Sequence, residues 1–215
     1  MKDTEHMNER RQLALDKIAD NDHEIYALLK QRYSPRTFSD REVSDEDLNR
    51  LFEAVRWSAS SSNLQPWRFI YTRKGTDGYD KIVECLSDFN QKWAVNAPIL
   101  MLTGYKEKND KGDENFHALH DLGLSLGSMT VQAQYMGIAL HHMAGVDWKK
   151  AHKDFDIPDG YHITTAIALG YYGGELDDLS EDLQDQESAK RERIPQSQFA
   201  FKDEWVSSET KNPSF

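Results

Sequence analysis

The sequence is poor in cysteine and in long apolar runs. Cys85 is the only thiol in 215 residues, so no internal disulfide can form and a reducing compartment is expected. Its neighbours Ile82, Val83 and Leu86 predict a packed, inert thiol on a helix face. No stretch approaches the ~20 apolar residues of a membrane span, and residues 1–11 are charged where a secretory signal has an apolar core. We therefore expect a cytoplasmic protein that does not associate with membranes.

Excess positive charge is also missing. The chain has 26 Lys and Arg against 37 Asp and Glu, a net charge of -11. Binding to nucleic acid usually needs a basic face, so a nucleic acid is not an expected partner. Residues 175–187 contain seven carboxylates without a Lys or Arg, which predicts a solvated acidic loop. A Gly-x-Gly-x-x-Gly run is absent, which argues against a Rossmann-type nicotinamide site.

The sequence does contain enough hydrophobic residues to form one core. Hydrophobic residues make up 38% of the chain and aromatic residues 11%, which is too rich for a disordered sequence. We predict an N-terminal arm or peripheral helix over residues 1–23, a single domain over residues 24–205 and a C-terminal tail over residues 206–215.

Helical and strand-like patterns alternate along that domain. Ser44 and Asp47 resemble a capping box before an amphipathic helix at 48–55, and helices are also predicted at 79–89 and 119–129. Short apolar runs predict strands at 67–71, 98–103, 138–143 and 163–169. The pattern favours the α+β class, with one mixed, mainly antiparallel sheet flanked by helices. Residues 104–116 are polar and lack periodicity, so a mobile lid is expected there.

Three polar segments have the residue types of an anion or cofactor site. Arg32, Ser34 and Arg36 place two guanidiniums around a hydroxyl, which suits a phosphate, although a solvated helix end is the alternative. The run 60–67 combines serines and amides, or is an ordinary connector. The basic run 190–195 is a second anion clamp, or a counterweight to the acidic stretch.

Taken in order, these segments resemble the nitroreductase family over residues 25–195. Residues 32–36 resemble its Arg-Arg-Ser-x-Arg motif, and residues 57–67 resemble its Ala-Pro-Ser-x-x-Asn-x-Gln-Pro-Trp signature. Asn96-Ala97-Pro98, Leu169-Gly170-Tyr171 and Arg191-x-Arg193-x-Pro195 also match. The resemblance implies a three-layer α/β/α fold, FMN as cofactor and a domain-sharing homodimer with shared active sites.

The resemblance also implies which positions contact FMN. Residues 32–36 would contact the phosphate and the pyrimidine edge of the flavin, and Arg191 and Arg193 would complete the phosphate site. Ser60, Ser61 and Asn63 would reach FMN from the partner chain. Asn90 would lie near the flavin ring, and the loop 142–145 would lie along it. These cofactor-binding residues are Arg32, Tyr33, Ser34, Arg36, Ser60, Ser61, Asn63, Gln65, Asn90, His142, Met143, Ala144, Gly145, Arg191 and Arg193.

The expected reaction is a ping-pong transfer of hydride. NADH or NADPH would reduce the flavin at N5 and leave, and a nitroaromatic, quinone or other electron-poor acceptor would then take its place. FMN performs this chemistry, so no side chain is named as a catalytic acid or base. Arg32 and Arg36 are candidates for stabilising the anionic reduced flavin. Tyr33, Ala59, Ala144 and the pair His141-His142 depart from the family pattern and leave the substrate and the nicotinamide preference open.

Other functions stay open at this point. Reductive dehalogenation, or another flavin reaction on an aromatic substrate, would use the same fold, and a flavin-binding protein without turnover is a further alternative. His117 and His120 have helical spacing and could bind a metal with Glu114 or Asp121. Because this set is incomplete as a ligand shell, no metal is expected.

Overall fold

The computed structural model describes residues 12–205, in which helices surround one sheet. The helices are α1 (Ala27–Gln31), α2 (Asp45–Arg56), α3 (Asp77–Cys85), α4 (Asp88–Ala94), α5 (Ala118–Tyr135), α6 (Trp148–Asp154) and α7 (Glu181–Ser188). The strands are β1 (Trp67–Arg73), β2 (Ile99–Lys106), β3 (Ile138–Met143) and β4 (Tyr161–Tyr171). Residues 12–16 are also helical. The predicted C-terminal tail and the first part of the predicted arm lie outside the described residues.

The sheet has the strand order β1-β2-β4-β3. β1 pairs with β2, β2 with β4, and β4 with β3, and all three ladders within residues 12–205 are antiparallel. The prediction of an α+β, mainly antiparallel sheet is therefore confirmed. Each predicted strand is present, and β4 extends beyond the predicted 163–169 at both ends.

Side chains that alternate along the central strands form a core on each face of the sheet. Leu100 and Leu102 pack on the face covered by α3, α4 and α7, while Ile99 and Met101 pack on the face covered by α2 and α5. All four are fully buried, and full burial of such side chains is worth roughly 1.5–3 kcal/mol each. The two cores give the three-layer α/β/α arrangement.

Helix boundaries follow their capping residues. The Ser44 side chain accepts a hydrogen bond from Asp47 N and the Asp47 side chain accepts one from Ser44 N, which confirms the predicted capping box. The helix predicted over 79–89 is instead divided at Leu86 and Ser87, because the Ser87 hydroxyl caps α4 by accepting from Asn90 N. A serine N-cap competes with helix continuation, which accounts for the break.

The acidic stretch 175–187 is not the solvated loop that composition predicted. It contains a short 3-10 turn at Leu176–Asp178 and helix α7. Leu179 and Leu183 are buried in the core, and Glu187 is 2% exposed. The prediction from charge composition overlooked these two leucines, whose burial fixes the stretch to the core. Part of the predicted lid is also ordinary structure, since residues 104–106 belong to β2.

A close backbone crossing fixes the segment before α2 to the end of β4. Phe38 forms an isolated antiparallel bridge with Tyr172. Gly174 has φ +82°, and a Cβ placed on it would lie 2.6 Å from Phe38 N and 2.7 Å from Phe38 O. Glycine is required because φ is positive and because a Cβ would collide with the Phe38 backbone. The crossing holds residues 32–38 against the sheet.

Replacing Gly174 by alanine should therefore destabilise the protein by about 3 kcal/mol, because a left-handed backbone strain and an overpacking term add. Gly160 is the matched control, since it has φ +87° with open space around its Cα. Its alanine variant should lose only about 1 kcal/mol, the conformational term alone. Urea unfolding of both variants measures this, and equal losses would refute the crowding argument.

Candidate functional site

Guanidiniums from opposite ends of the domain come together at one site. Arg32 follows α1 and its Nη1 donates to Ser34 Oγ at 3.1 Å. Burial lowers the pKa of Arg32 and of Arg191 below the usual arginine value, and the charge of Arg193 lowers both further, so the three lie close together. Among residues 12–205 no Asp or Glu forms a salt bridge with any of the three. We call Arg32, Arg191 and Arg193 the arginine cluster.

The arginine cluster retains donors for a ligand. Arg191 Nη1 donates to the carbonyl oxygens of Lys17 and Lys30 at 2.8 and 3.0 Å, which fixes the guanidinium. Its Nε is buried and has no hydrogen-bond partner among the described residues, and the same holds for Arg36 Nε. An unpaired buried donor costs about 1–3 kcal/mol. Like charges with unused donors fit a phosphate group, which accepts several charge-assisted hydrogen bonds.

Arg36 has a different environment from the arginine cluster. Its backbone N and Nη1 donate to Glu187 Oε2 at 3.2 and 3.4 Å, and Nη2 donates to Gln186 Oε1 at 3.2 Å. The guanidinium also lies over the Trp93 ring, 5.9 Å from its centroid. Arg36 is thus held in an ion pair, and its expected contact with FMN stays a prediction. Sequence reasoning did not predict this pairing, because Glu187 belonged to a stretch predicted to be solvated.

Tyr33 stacks on a residue that sequence reasoning missed. The rings of Tyr33 and Tyr172 have centroids 4.9 Å apart, and the Tyr172 hydroxyl lies 2.7 Å from Gln134 Oε1 and 3.1 Å from Tyr33 O. The two tyrosines, with Leu15 and Ile18, line a cavity of about 350 Å³ beside the arginine cluster. The sequence feature that could have pointed to Tyr172 is its position directly after the Leu169-Gly170-Tyr171 motif.

His141 and His142 lie on opposite faces of β3. His141 Nδ1 lies 2.8 Å from Pro35 O and its ring stacks on Trp93 at 4.2 Å, whereas His142 Nε2 lies 3.2 Å from Thr130 Oγ1. Burial, reinforced by nearby arginine charge, lowers the pKa of each to about 4. Both are therefore neutral at pH 7, and His141 Nδ1 donates to Pro35 O, which has no proton to give.

The loop after β3 lies against the start of α4. Ser87 N donates to Gly145 O at 2.9 Å, and a Cβ on Gly145 would lie 2.7 Å from Ser87 Oγ and 3.1 Å from Asn90 Nδ2. Asn90 and Gly145 are thus neighbours, and Ala144 beside them is exposed. Their expected contacts with FMN stay a prediction. Met143 is 3% exposed in the core, so its side chain cannot contact a ligand and only its backbone could.

The serine-rich signature lies at the far end of α5. Ser61 N donates to Asp121 Oδ2 at 3.0 Å in the first turn of that helix. Gln65 N donates to Ser60 Oγ at 3.1 Å, and Asn63 and Gln65 both have positive φ. Gln134, which contacts Tyr172, is 13 residues further along α5, or about 20 Å at 1.5 Å per residue. Within one chain, Ser60, Ser61, Asn63 and Gln65 therefore do not meet the arginine cluster.

One face of α5 is uncovered and apolar. Gly123 and Gly127 have nothing within 4 Å of an added Cβ, and Leu119 and Leu124 are 58% and 44% exposed. Phe116, just before the helix, is 82% exposed. Exposed apolar groups that are grouped in this way mark an interaction surface.

The histidines proposed as metal ligands do not assemble. His120 Nδ1 lies 3.2 Å from Asp121 Oδ1, but no group of three or more His, Cys, Asp or Glu among residues 12–205 is arranged to hold a metal ion. Cys85 is fully buried, and burial raises its thiol pKa to about 11, which confirms the prediction of a packed thiol. Within the same residues no helix is long and apolar enough to cross a membrane.

Comparison with known proteins finds similarity to nitroreductases in sequence and in structure. The Nitroreductase family model matches residues 29–87. A Ralstonia nicotianae protein, provisionally named NADH dehydrogenase/NAD(P)H nitroreductase, is 26% identical over 152 residues, covering 61% of this chain and 77% of its own. A solved structure described as an oxidoreductase containing FMN is 29% identical with a TM-score of 0.82, covering 89% of this chain and 98% of its own. A nitroreductase family protein from Clostridium difficile 630 is 21% identical with a TM-score of 0.65, covering 85% and 100%.

The buried histidines predict how stability responds to acid. Each is charged in the unfolded chain below its ordinary pKa of about 6.5 but stays neutral in the fold down to about 4. The unfolded state therefore binds more protons between those values, and stability falls as pH falls through that window. By pH 5 each histidine costs about 2 kcal/mol.

The variant H142Q tests this, because glutamine can still bond Thr130 but takes up no proton. In urea unfolding without FMN, H142Q should lose about 2 kcal/mol less than the unmodified chain between pH 7 and pH 5. Parallel stability curves for the two proteins would contradict the assignment.

Proposed function

We propose that the chain is a member of the nitroreductase family and an FMN-dependent oxidoreductase that uses NADH or NADPH to reduce a nitroaromatic, a quinone or a related electron-poor acceptor. The observation that supports this is the arginine cluster, which has no carboxylate salt-bridge partner among residues 12–205 and is placed next to Ser34. The FMN content of a structure with the same fold at a TM-score of 0.82 supports the cofactor.

The residues of the arginine cluster fit the phosphate of FMN. Arg191 Nε is buried without a partner among the described residues, and Arg32 and Arg193 add positive charge around the same point. Ser34 Oγ, which accepts from Arg32, keeps its own proton for a phosphate oxygen. When bound, FMN supplies the ring that takes hydride from a nicotinamide and passes it to the acceptor.

Other residues would shape the ring site. Asn90 and Gly145 are adjacent, so an amide and a backbone segment could bind one edge of a flat ring. His141 and His142 are neutral at pH 7 because of their lowered pKa, so they add no charge next to Arg32 and Arg36. No side chain is assigned as an acid or base, since hydride transfer requires none.

We further propose that a homodimer completes the site. Ser61 contacts Asp121, which lies about 20 Å along α5, by the helical rise, from Gln134, whose side chain contacts Tyr172. The uncovered face of α5 with Gly123 and Gly127 provides a surface where a second copy could approach closely. A partner chain that packs there would bring its own Ser60, Ser61 and Asn63 to the site.

The cofactor proposal predicts that the purified protein is yellow and releases FMN on denaturation. Arg193 is exposed, and among the described residues its Nη1 donates only to the adjacent Glu192 carbonyl. R193A should therefore fold normally yet bind FMN about 10-fold more weakly, as one charge-assisted bond is worth about 1.5 kcal/mol. Flavin fluorescence titration measures the dissociation constant.

The control is R50A, which removes a guanidinium from α2 and should leave FMN binding unchanged. A protein that takes up no FMN would refute the proposed cofactor, and equal affinity of R193A and the unmodified chain would remove Arg193 from the site. Anaerobic bleaching of the flavin by NADH or NADPH, followed by assays of nitro-group reduction and halide release, separates nitroreduction, dehalogenation and a flavin protein without turnover.

The dimer proposal predicts that G127R is monomeric and retains little FMN, because a charged side chain would enter the α5 contact. N49R places the same arginine at an exposed position of α2 and should stay dimeric. Light scattering after size exclusion gives the mass of each variant. A G127R protein that remains dimeric with full flavin content would rule out this face as the interface.

A further inference from the structure

We propose that two buried residues, Lys17 and Glu187, together position Arg36 and Arg191, and that Lys17 is therefore a positioning residue for the cofactor site. The proposal rests on the proposed function, because it assigns these two residues to FMN binding. It also gives a role to residues 12–19, which the sequence predicted only as an arm or peripheral helix.

Lys17 is an unusual residue to bury. It is 6% exposed, whereas lysines are almost never fully buried unless paired. Its Nζ donates to Ala189 O, and its own carbonyl oxygen accepts from Arg191 Nη1 at 2.8 Å. Lys17 thus contacts the basic segment at two points, on either side of Lys190. Ala19 N donates to Lys30 O at 2.9 Å, which fixes the same segment to the end of α1.

Glu187 is the buried opposite charge of this site. It lies two residues before Ala189, whose carbonyl oxygen accepts from Lys17 Nζ, and among the described residues its ion pair is with Arg36. It is 2% exposed, and its Oε2 accepts from both Arg36 N and Arg36 Nη1. Its Oε1 is also buried and has no hydrogen-bond partner among the described residues. Burial raises the pKa of Glu187, and the charges of Arg36 and Lys17 oppose that rise. Burial likewise lowers the pKa of Lys17, with Glu187 opposing and Arg36 and Arg191 adding to it, and Asp16 is the further nearby carboxylate.

Lys17 and Glu187 connect the segments that carry the site. Lys17, Arg36 and Glu187 come from three parts of the chain that are far apart in sequence. The two arginines whose Nε is buried without a described partner are both held here, because Arg191 donates to Lys17 O and Arg36 donates to Glu187. Two cations and one anion leave a net positive charge at this point, which favours an anionic ligand.

The experiment is a double-mutant cycle read out as FMN dissociation constants of the full chain. K17M and E187Q should each weaken FMN binding about 10-fold, and K17M/E187Q should weaken it by clearly less than the ~100-fold product, because residues in one charge network are not additive. K17R keeps the charge and should bind FMN within about 3-fold of the unmodified chain. Multiplicative effects, unchanged affinities or failure of K17R to rescue would overturn the proposal.

Matched controls and a measurement on the unmodified protein complete the test. K74M removes a lysine charge from the exposed turn after β1, and E181Q removes a carboxylate from the exposed first turn of α7, and neither should change FMN affinity. If K17M does not fold, hydrogen exchange decides: FMN should slow exchange of peptides over residues 17–20 together with 187–191, and unchanged exchange over 17–20 would overturn the proposal. Failure of the unmodified chain to bind FMN would instead refute the proposed function.

Discussion

Gathering arginines at one point of the molecule is the constraint on which the site depends. Arg32, Arg191 and Arg193 lie close enough that burial and mutual repulsion lower the pKa of Arg32 and Arg191. Repulsion between partly buried like charges opposes folding, so other contacts must hold the segments in place. The carbonyl oxygens of Lys17 and Lys30 hold Arg191, and the Phe38–Tyr172 bridge holds the segment after Arg32. The stability of the sheet thus keeps these cations near each other at the point where the proposed function places an anionic ligand.

The sheet supplies that stability because its side chains alternate between two cores. On β2, Leu100 and Leu102 pack in one core, and Ile99 and Met101 pack in the other. All four are fully buried. The same alternation on β3 places His141 against Trp93 and His142 against Thr130. Neighbouring histidines thus enter different environments, and both stay neutral at pH 7 for the same reason, which is burial.

Sequence reasoning was most successful where one local rule decided the structure. The capping box at Ser44 and Asp47 and the short apolar strands follow from nearest neighbours along the chain, and all were found where predicted. It failed at Glu187, because charge composition says nothing about two leucines that bury a helix. Lys17 and Tyr172 were missed for a related reason, since their roles come from contacts with residues more than 130 positions away. Motif order identified the candidate arginines, but only the fold shows that Arg36 has a carboxylate partner and that the arginine cluster has none within the part of the chain that the structure describes.

In the proposed dimer, cofactor binding and association of the chains are thermodynamically linked. The serine-rich signature and the arginine cluster are separated by most of the length of α5, so one chain alone offers FMN only part of its ligands. A ligand that contacts both chains binds the dimer more tightly than the monomer and must therefore stabilise the dimer by the same free energy. Ser62, Asn63 and Gln65 have positive φ within four positions. Backbone strain of this kind costs about 1–3 kcal/mol per residue and persists where the surrounding structure requires it. Contacts of this loop with a partner chain and a shared cofactor would offset that cost, which explains why the strain coincides with the family signature.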